Sequence, residues 1–164
     1  MSASTNGPER YSRSDQTTGR RLELWVRPGT RQAADDLVAQ AESLAADGTV
    51  ETVDVRVWDA HQNLSSSVRS HRQQEARATL QRLKRWAWRH GAELVGFGTR
   101  RRAGRGRLGP EYVIQRVPPV LLAEYEDGLL VNVAPCSDRD RCVTERLERL
   151  STMGAEARYP LLPR

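Results

Sequence analysis

The chain has 164 residues, 38% of them hydrophobic, 29% charged and only 5% aromatic, with a formal net charge of +5. That length gives room for one domain with a modest core. No apolar run approaches the roughly 20 residues that span a bilayer, and Ser2-Ala3-Ser4-Thr5-Asn6-Gly7-Pro8 lacks the apolar stretch of a secretory signal, so a cytoplasmic protein without membrane contact is expected. The charge is sorted: between Arg69 and Arg107 twelve basic residues meet only Glu75 and Glu93, while the rest of the chain beyond Arg21 is net acidic. Such sorting points to a polyanionic partner.

Residues 1–20, rich in Ser, Thr, Gly and charge, are expected to form a flexible tail, followed by one domain over 21–153 and a second tail over 154–164. Leu22, Leu24 and Val26 alternate with Glu23, Trp25 and Arg27, which predicts a half-buried strand stopped by Pro28-Gly29. Thr30 stands at an N-cap position. Ala34, Leu37, Val38, Ala41 and Leu44 then recur at helical period up to Asp47-Gly48. Val53, Val55 and Val57 alternate with Asp54, Arg56 and Trp58, a second strand, and the strand-helix-strand order predicts a parallel pair. After a polar loop, Ala76, Leu80, Leu83 and Ala87, joined by Trp86, mark a second helix ending at Gly91.

Leu94 to Thr99 predicts a third strand, with Gly96 and Gly98 weakening it or marking a close backbone approach. A basic loop over 100–110, Arg100-Arg101-Arg102-Ala103-Gly104-Arg105-Gly106-Arg107 and its exit, cannot be buried. Tyr112 to Ile114 reads as another strand, broken by Pro118-Pro119, and Asp127-Gly128 between Val120–Tyr125 and Leu129–Val133 is a type I′ hairpin signal. Val143, Leu147 and Leu150 close the chain with a short helix before Gly154. The expected fold is α+β: a ferredoxin-like β-α-β-α-β-β(-β)-α sandwich with helices on one face of the sheet.

Chemistry has no evident seat. His61, His71 and His90 form no triad motif, Cys136 and Cys142 match no zinc spacing, and Glu124, Glu126 and Asp127 read as solvated carboxylates of a hairpin tip. A non-enzymatic protein is expected, with no metal, cofactor or small-molecule substrate inferred. Two features suggest binding. Arg77, Lys84, Arg85 and Arg89 on the second helix, followed by Arg100, Arg101, Arg102, Arg105 and Arg107, offer a basic track for a phosphate backbone. If the aliphatic strand residues face the helices, Trp25, Arg27, Arg56 and Trp58 project from the other side, a face suited to base stacking or to a dimer or protein interface.

The stretch Pro119-Val120-Leu121-Leu122-Ala123-Glu124-Tyr125-Glu126-Asp127-Gly128, with Val131, Val133 and Pro135-Cys136-Ser137-Asp138, resembles a family of small haloarchaeal proteins often labelled helix-turn-helix domain proteins. Leu22-Glu23-Leu24-Trp25-Val26-Arg27, Asp47-Gly48, Val57-Trp58 and Trp86-Ala87 extend the likeness over roughly residues 21–150. The resemblance implies DNA binding and brings no catalytic residues. The expected function is therefore nucleic-acid binding, DNA or RNA, in a regulatory role. The alternative is an assembly module that dimerises or binds a protein through the Trp-bearing sheet face.

Overall fold

A computed structural model describes residues 19–64, 70–102, 112–135 and 142–158. Both proposed tails fall largely outside these ranges. The elements run β1 (Arg20–Val26), α1 (Arg31–Ala46), β2 (Thr52–Val57), β3 (His61–Asn63), α2 (His71–His90), β4 (Gly98–Arg102), β5 (Tyr112–Arg116), β6 (Val120–Glu126), β7 (Leu129–Ala134) and α3 (Val143–Arg158). The mixture is α+β, as the periodicities predict. No helix among the described residues is long and apolar enough to cross a membrane.

The main sheet has the order β2-β1-β6-β7, with β1 parallel to β2 and antiparallel to β6. Alternation along its two central strands sorts side chains into two cores. Leu22, Leu24 and Val26 of β1 and Leu122 of β6 meet Ala41 and Leu44 of α1 and Leu147 and Leu150 of α3. On the opposite face Trp25, Leu121, Ala123 and Tyr125 meet Ala76, Leu80, Leu83 and Trp86 of α2. Helices therefore cover both faces, and the one-face, ferredoxin-like arrangement expected from the sequence is corrected. The reason is that both sides of the alternation are buried: the Glu23/Trp25 side is as enclosed as the aliphatic side.

Local signals explain the element ends. Ser70 caps α2, its Oγ accepting from the Gln73 backbone while the Gln73 side chain accepts from the Ser70 backbone, and Gly91 closes the helix at φ 61°. Thr30 precedes α1 without capping it; its hydroxyl donates to the Arg27 carbonyl. Asp127 and Gly128 adopt φ of 51° and 79°, as a type I′ turn requires. The strand expected over Leu94–Thr99 is displaced: β4 comprises Gly98–Arg102, so Arg100, Arg101 and Arg102 belong to a paired strand and not to a loop. Cross-strand pairing with Tyr112, Val113 and Ile114 makes this possible, and arginine is well tolerated on an outer strand. Gly96 marks a close approach: at φ 84°, a Cβ would sit 2.9 Å from Pro118 Cβ. Helix α3 runs through Gly154, where a larger residue would collide with Thr49.

A buried ionic knot joins the layers. Glu124, 1% exposed, faces α3, where Arg146 donates from Nε and Nη2 to its Oε2 at 2.9 and 2.7 Å. Arg20 Nε lies 3.1 Å from Oε1 as an ion pair. The sequence reading of Glu124 as a solvated tip carboxylate is thereby overturned, because the side chain points into the sheet–α3 layer.

Candidate nucleic-acid interface

Helix α2 turns one side to the sheet and the other to solvent. Ala76, Thr79, Leu80, Leu83, Trp86 and Ala87 are buried. Opposite them, Arg77, Gln81, Lys84 and Trp88 recur every three or four residues, with Arg85 one turn beyond Gln81, and so form one stripe. From Arg77 to Trp88 this stripe extends about 16 Å at the helical rise. Trp88 stands at its carboxy-terminal end with 84% of its surface exposed, beside Lys84, Arg85 and Arg89, all exposed. Arg77 is half-buried at the near end and lines a small polar cavity of about 90 Å³ with Asp59, His61 and Gln73.

Among the described basic residues two groups stand apart. Arg20, Arg21, Arg56, Arg72 and Arg146 form ion pairs with carboxylates. Arg77, Lys84, Arg85 and Arg89 form none with any described residue, and within α2 the one described acid, Glu75, is taken by Arg56. The charge of the first group is matched by carboxylates within the fold, whereas that of the second group has no such match among the described residues.

The second sheet adds further arginines. Its order is β3-β5-β4, all antiparallel, with β3 against α2 and β4 as the outer strand that carries Arg100, Arg101 and Arg102. Gln62 and Gln115 are buried in it, Gln115 donating to the Gly98 and Arg116 carbonyls at 3.2 Å. Arg105 and Arg107 lie outside the described residues.

The expected tryptophan face is not on the surface. Trp25 is 2% and Trp58 0% exposed, with ring centroids 5.0 Å apart beneath α2. Phe97 meets Trp58 edge-on at 6.3 Å. Trp25 Nε1 donates to Glu23, whose other oxygen accepts from Arg21 at 3.1 Å, and Arg21 in turn lies 4.3 Å above the Tyr125 ring. Arg56 reaches Glu75 of α2, and Arg27 Nη1 donates to the Val117 carbonyl. These four residues thus knit the sheet to its covering layer and are not an open stacking face. Sequence spacing could not reveal this, since it does not say on which side α2 packs.

Comparison with protein families adds an independent finding. A family model described as a helix-turn-helix domain matches residues 14–157. The chain belongs to this helix-turn-helix domain family. No curated protein and no solved structure matches it significantly. Within this family member no described helix directly follows another: α1 leads to β2, and α2 leads to the antiparallel pair β4–β5. The helix with an exposed basic face is therefore flanked by a β-hairpin and not by the second helix of a helix-turn-helix pair.

Proposed function

We propose that this protein is a non-enzymatic, cytoplasmic nucleic-acid-binding regulator that contacts its polyanionic partner through the outer face of α2 and the arginines of β4. The observation that carries this reading is the set of unpaired cations Arg77, Lys84, Arg85 and Arg89 on the α2 surface that ends in the exposed Trp88. Cations without internal partners break no ion pair when they reach phosphate oxygens, and each phosphate neutralised releases a counterion. An exposed indole at the end of such a stripe supplies a stacking or apolar contact that a purely solvated helix face would not carry. Membership of a helix-turn-helix domain family supports the same reading. The alternative, assembly through Trp25 and Trp58, has no surface to act through, because both indoles lie under α2.

The test is a salt titration of binding to labelled duplex and single-stranded probes by anisotropy. Replacing Arg77, Lys84, Arg85 and Arg89 together by Gln should weaken binding and reduce the slope of log K against log salt by about 0.9 for each lost duplex contact. Trp88→Ala should instead cost about 1–3 kcal/mol on an unpaired strand while leaving the slope unchanged. Absence of binding by the parent protein at low salt, or an unaltered slope in the fourfold variant, would overturn the proposal.

A further inference from the structure

A cleft of about 300 Å³ opens between the carboxy-terminal half of α2 and the β6–β7 hairpin. Its cationic lining comes from Arg82, Arg85 and Arg89, with His90 beside them, and no carboxylate of the described residues lines it. Arg85 and Arg89 have no internal counter-ion among the described residues. Arg82 Nη1 donates to Tyr125 Oη at 3.2 Å, but burial, reinforced by the Glu23 charge, pushes the Tyr125 phenol up from its ordinary pKa. The hydroxyl stays neutral and leaves the Arg82 charge uncompensated.

The floor is of another character. Trp86 is 5% exposed, with His90 stacked on it at 4.8 Å and 25° and donating through Nδ1–H to the Trp86 carbonyl, 2.8 Å away. The Trp86 indole N–H is buried and has no acceptor among the described residues. Tyr125 and Leu130 complete the apolar base, and Leu129, 71% exposed, stands at the lip. A bare inorganic anion would satisfy the guanidinium groups and leave this floor wet. A neutral hydrocarbon would cover the floor and displace solvent from the arginines without replacing it.

We infer that this cleft binds a small organic anion with a flat apolar body, an aryl carboxylate or aryl phosphate, held by Arg82, Arg85 and Arg89 over the Trp86–Tyr125 floor. Its volume lies at the lower end for small-ligand sites, enough for one or two fused rings and an anionic group. The site is distinct from the nucleic-acid reading but shares Arg85 and Arg89 with it. A bound anion therefore competes with phosphate contacts at the same two side chains, which makes the cleft an effector site.

The experiment is calorimetric titration with 2-naphthoate and 2-naphthyl phosphate, using 2-naphthylmethanol as the neutral counterpart and acetate as the anion without a body. Both aromatic anions should bind at least about tenfold more tightly than either control, the effect of one charge-assisted hydrogen bond. Arg85→Gln with Arg89→Gln, and separately Leu129→Asp at the exposed lip, should weaken naphthoate by about tenfold or more. Arg72→Gln removes one positive charge away from the cleft and should leave naphthoate binding unchanged. No binding of either anion, equal binding of naphthoate and naphthylmethanol, or equal loss in Arg72→Gln would overturn the inference. A protein that binds nucleic acid but neither anion would sink the cleft alone; one that binds naphthoate but no nucleic acid would sink the proposed function alone. Naphthoate should also lower the apparent affinity for a nucleic-acid probe, and undiminished affinity at saturation would remove the effector role.

Discussion

Trp58→Ala is expected to lower the free energy of unfolding by about 3–5 kcal/mol while leaving the mass of the protein in solution unchanged. The indole is fully buried, touches Trp25 and Phe97, and sits where β2 leaves the sheet, with its backbone N–H donating to the Val26 carbonyl at 3.2 Å. Truncation would open a cavity between sheet and α2 that a rigid pair of strands cannot close, and the neighbouring indole and phenyl rings would lose their edge and face contacts. Denaturant titration measures the first expectation and sedimentation the second. A change below about 1 kcal/mol accompanied by a lower mass would mean that Trp58 belongs to an interface between molecules after all, and the placement of α2 would be wrong.

The second large effect concerns Glu124. Arg146→Ala leaves its carboxylate buried with Arg20 alone and should destabilise the protein by about 3–5 kcal/mol. The double variant Glu124→Leu with Arg146→Met removes both charges, fills the space with apolar volume and should recover most of that loss. The two outcomes together are diagnostic: a pair that stabilises by its own attraction would make the double variant as unstable as the single one, whereas a pair retained because neither ion tolerates isolation gives recovery. Thermal or denaturant unfolding of the parent, the single and the double variant decides between them. A single variant as stable as the parent would show that the carboxylate is not enclosed as the geometry places it.

What could be read from sequence was what neighbouring residues decide among themselves. The alternation of Leu22, Leu24 and Val26, the helical spacing of Ala76, Leu80, Leu83 and Ala87, and the Asp127-Gly128 turn each correspond to an observed element. The parallel pairing of β1 with β2 followed from the helix between them. Choices made over long distances were hidden. Whether Trp25 faces solvent or a helix depends on which side α2 crosses, and α2 is tied to that side through Glu75 with Arg56 and Arg82 with Tyr125, contacts without any signature in spacing. Arginine repeats in 100–102 suggested a loop because composition alone carries no record of Tyr112–Ile114 lying alongside.

The candidate site divides in the same way. The outward basic stripe of α2, with Arg77, Lys84, Arg85 and Arg89, was legible because one helix sets it. The cleft beside it was not, since it needs Tyr125 and Leu129 from a hairpin distant in sequence to stand over the end of that helix. Glu124 looked like a turn residue for a related reason: its partner Arg146 comes from the next helix, and its second partner from the first strand.

The order of strands has a consequence for synthesis. β1 lies inside the sheet, yet the strand that covers its second edge is β6, and the tip of that hairpin hydrogen-bonds the start of β1 across 108 residues through Gly19 and Asp127. While the ribosome is still adding the middle of the chain, β1 therefore shows an uncovered row of amide and carbonyl groups, and α1 lacks the leucines of α3 against which it packs. Closure of so long a loop is slow. Until β6 emerges, that edge of β1 is open to pairing with another chain.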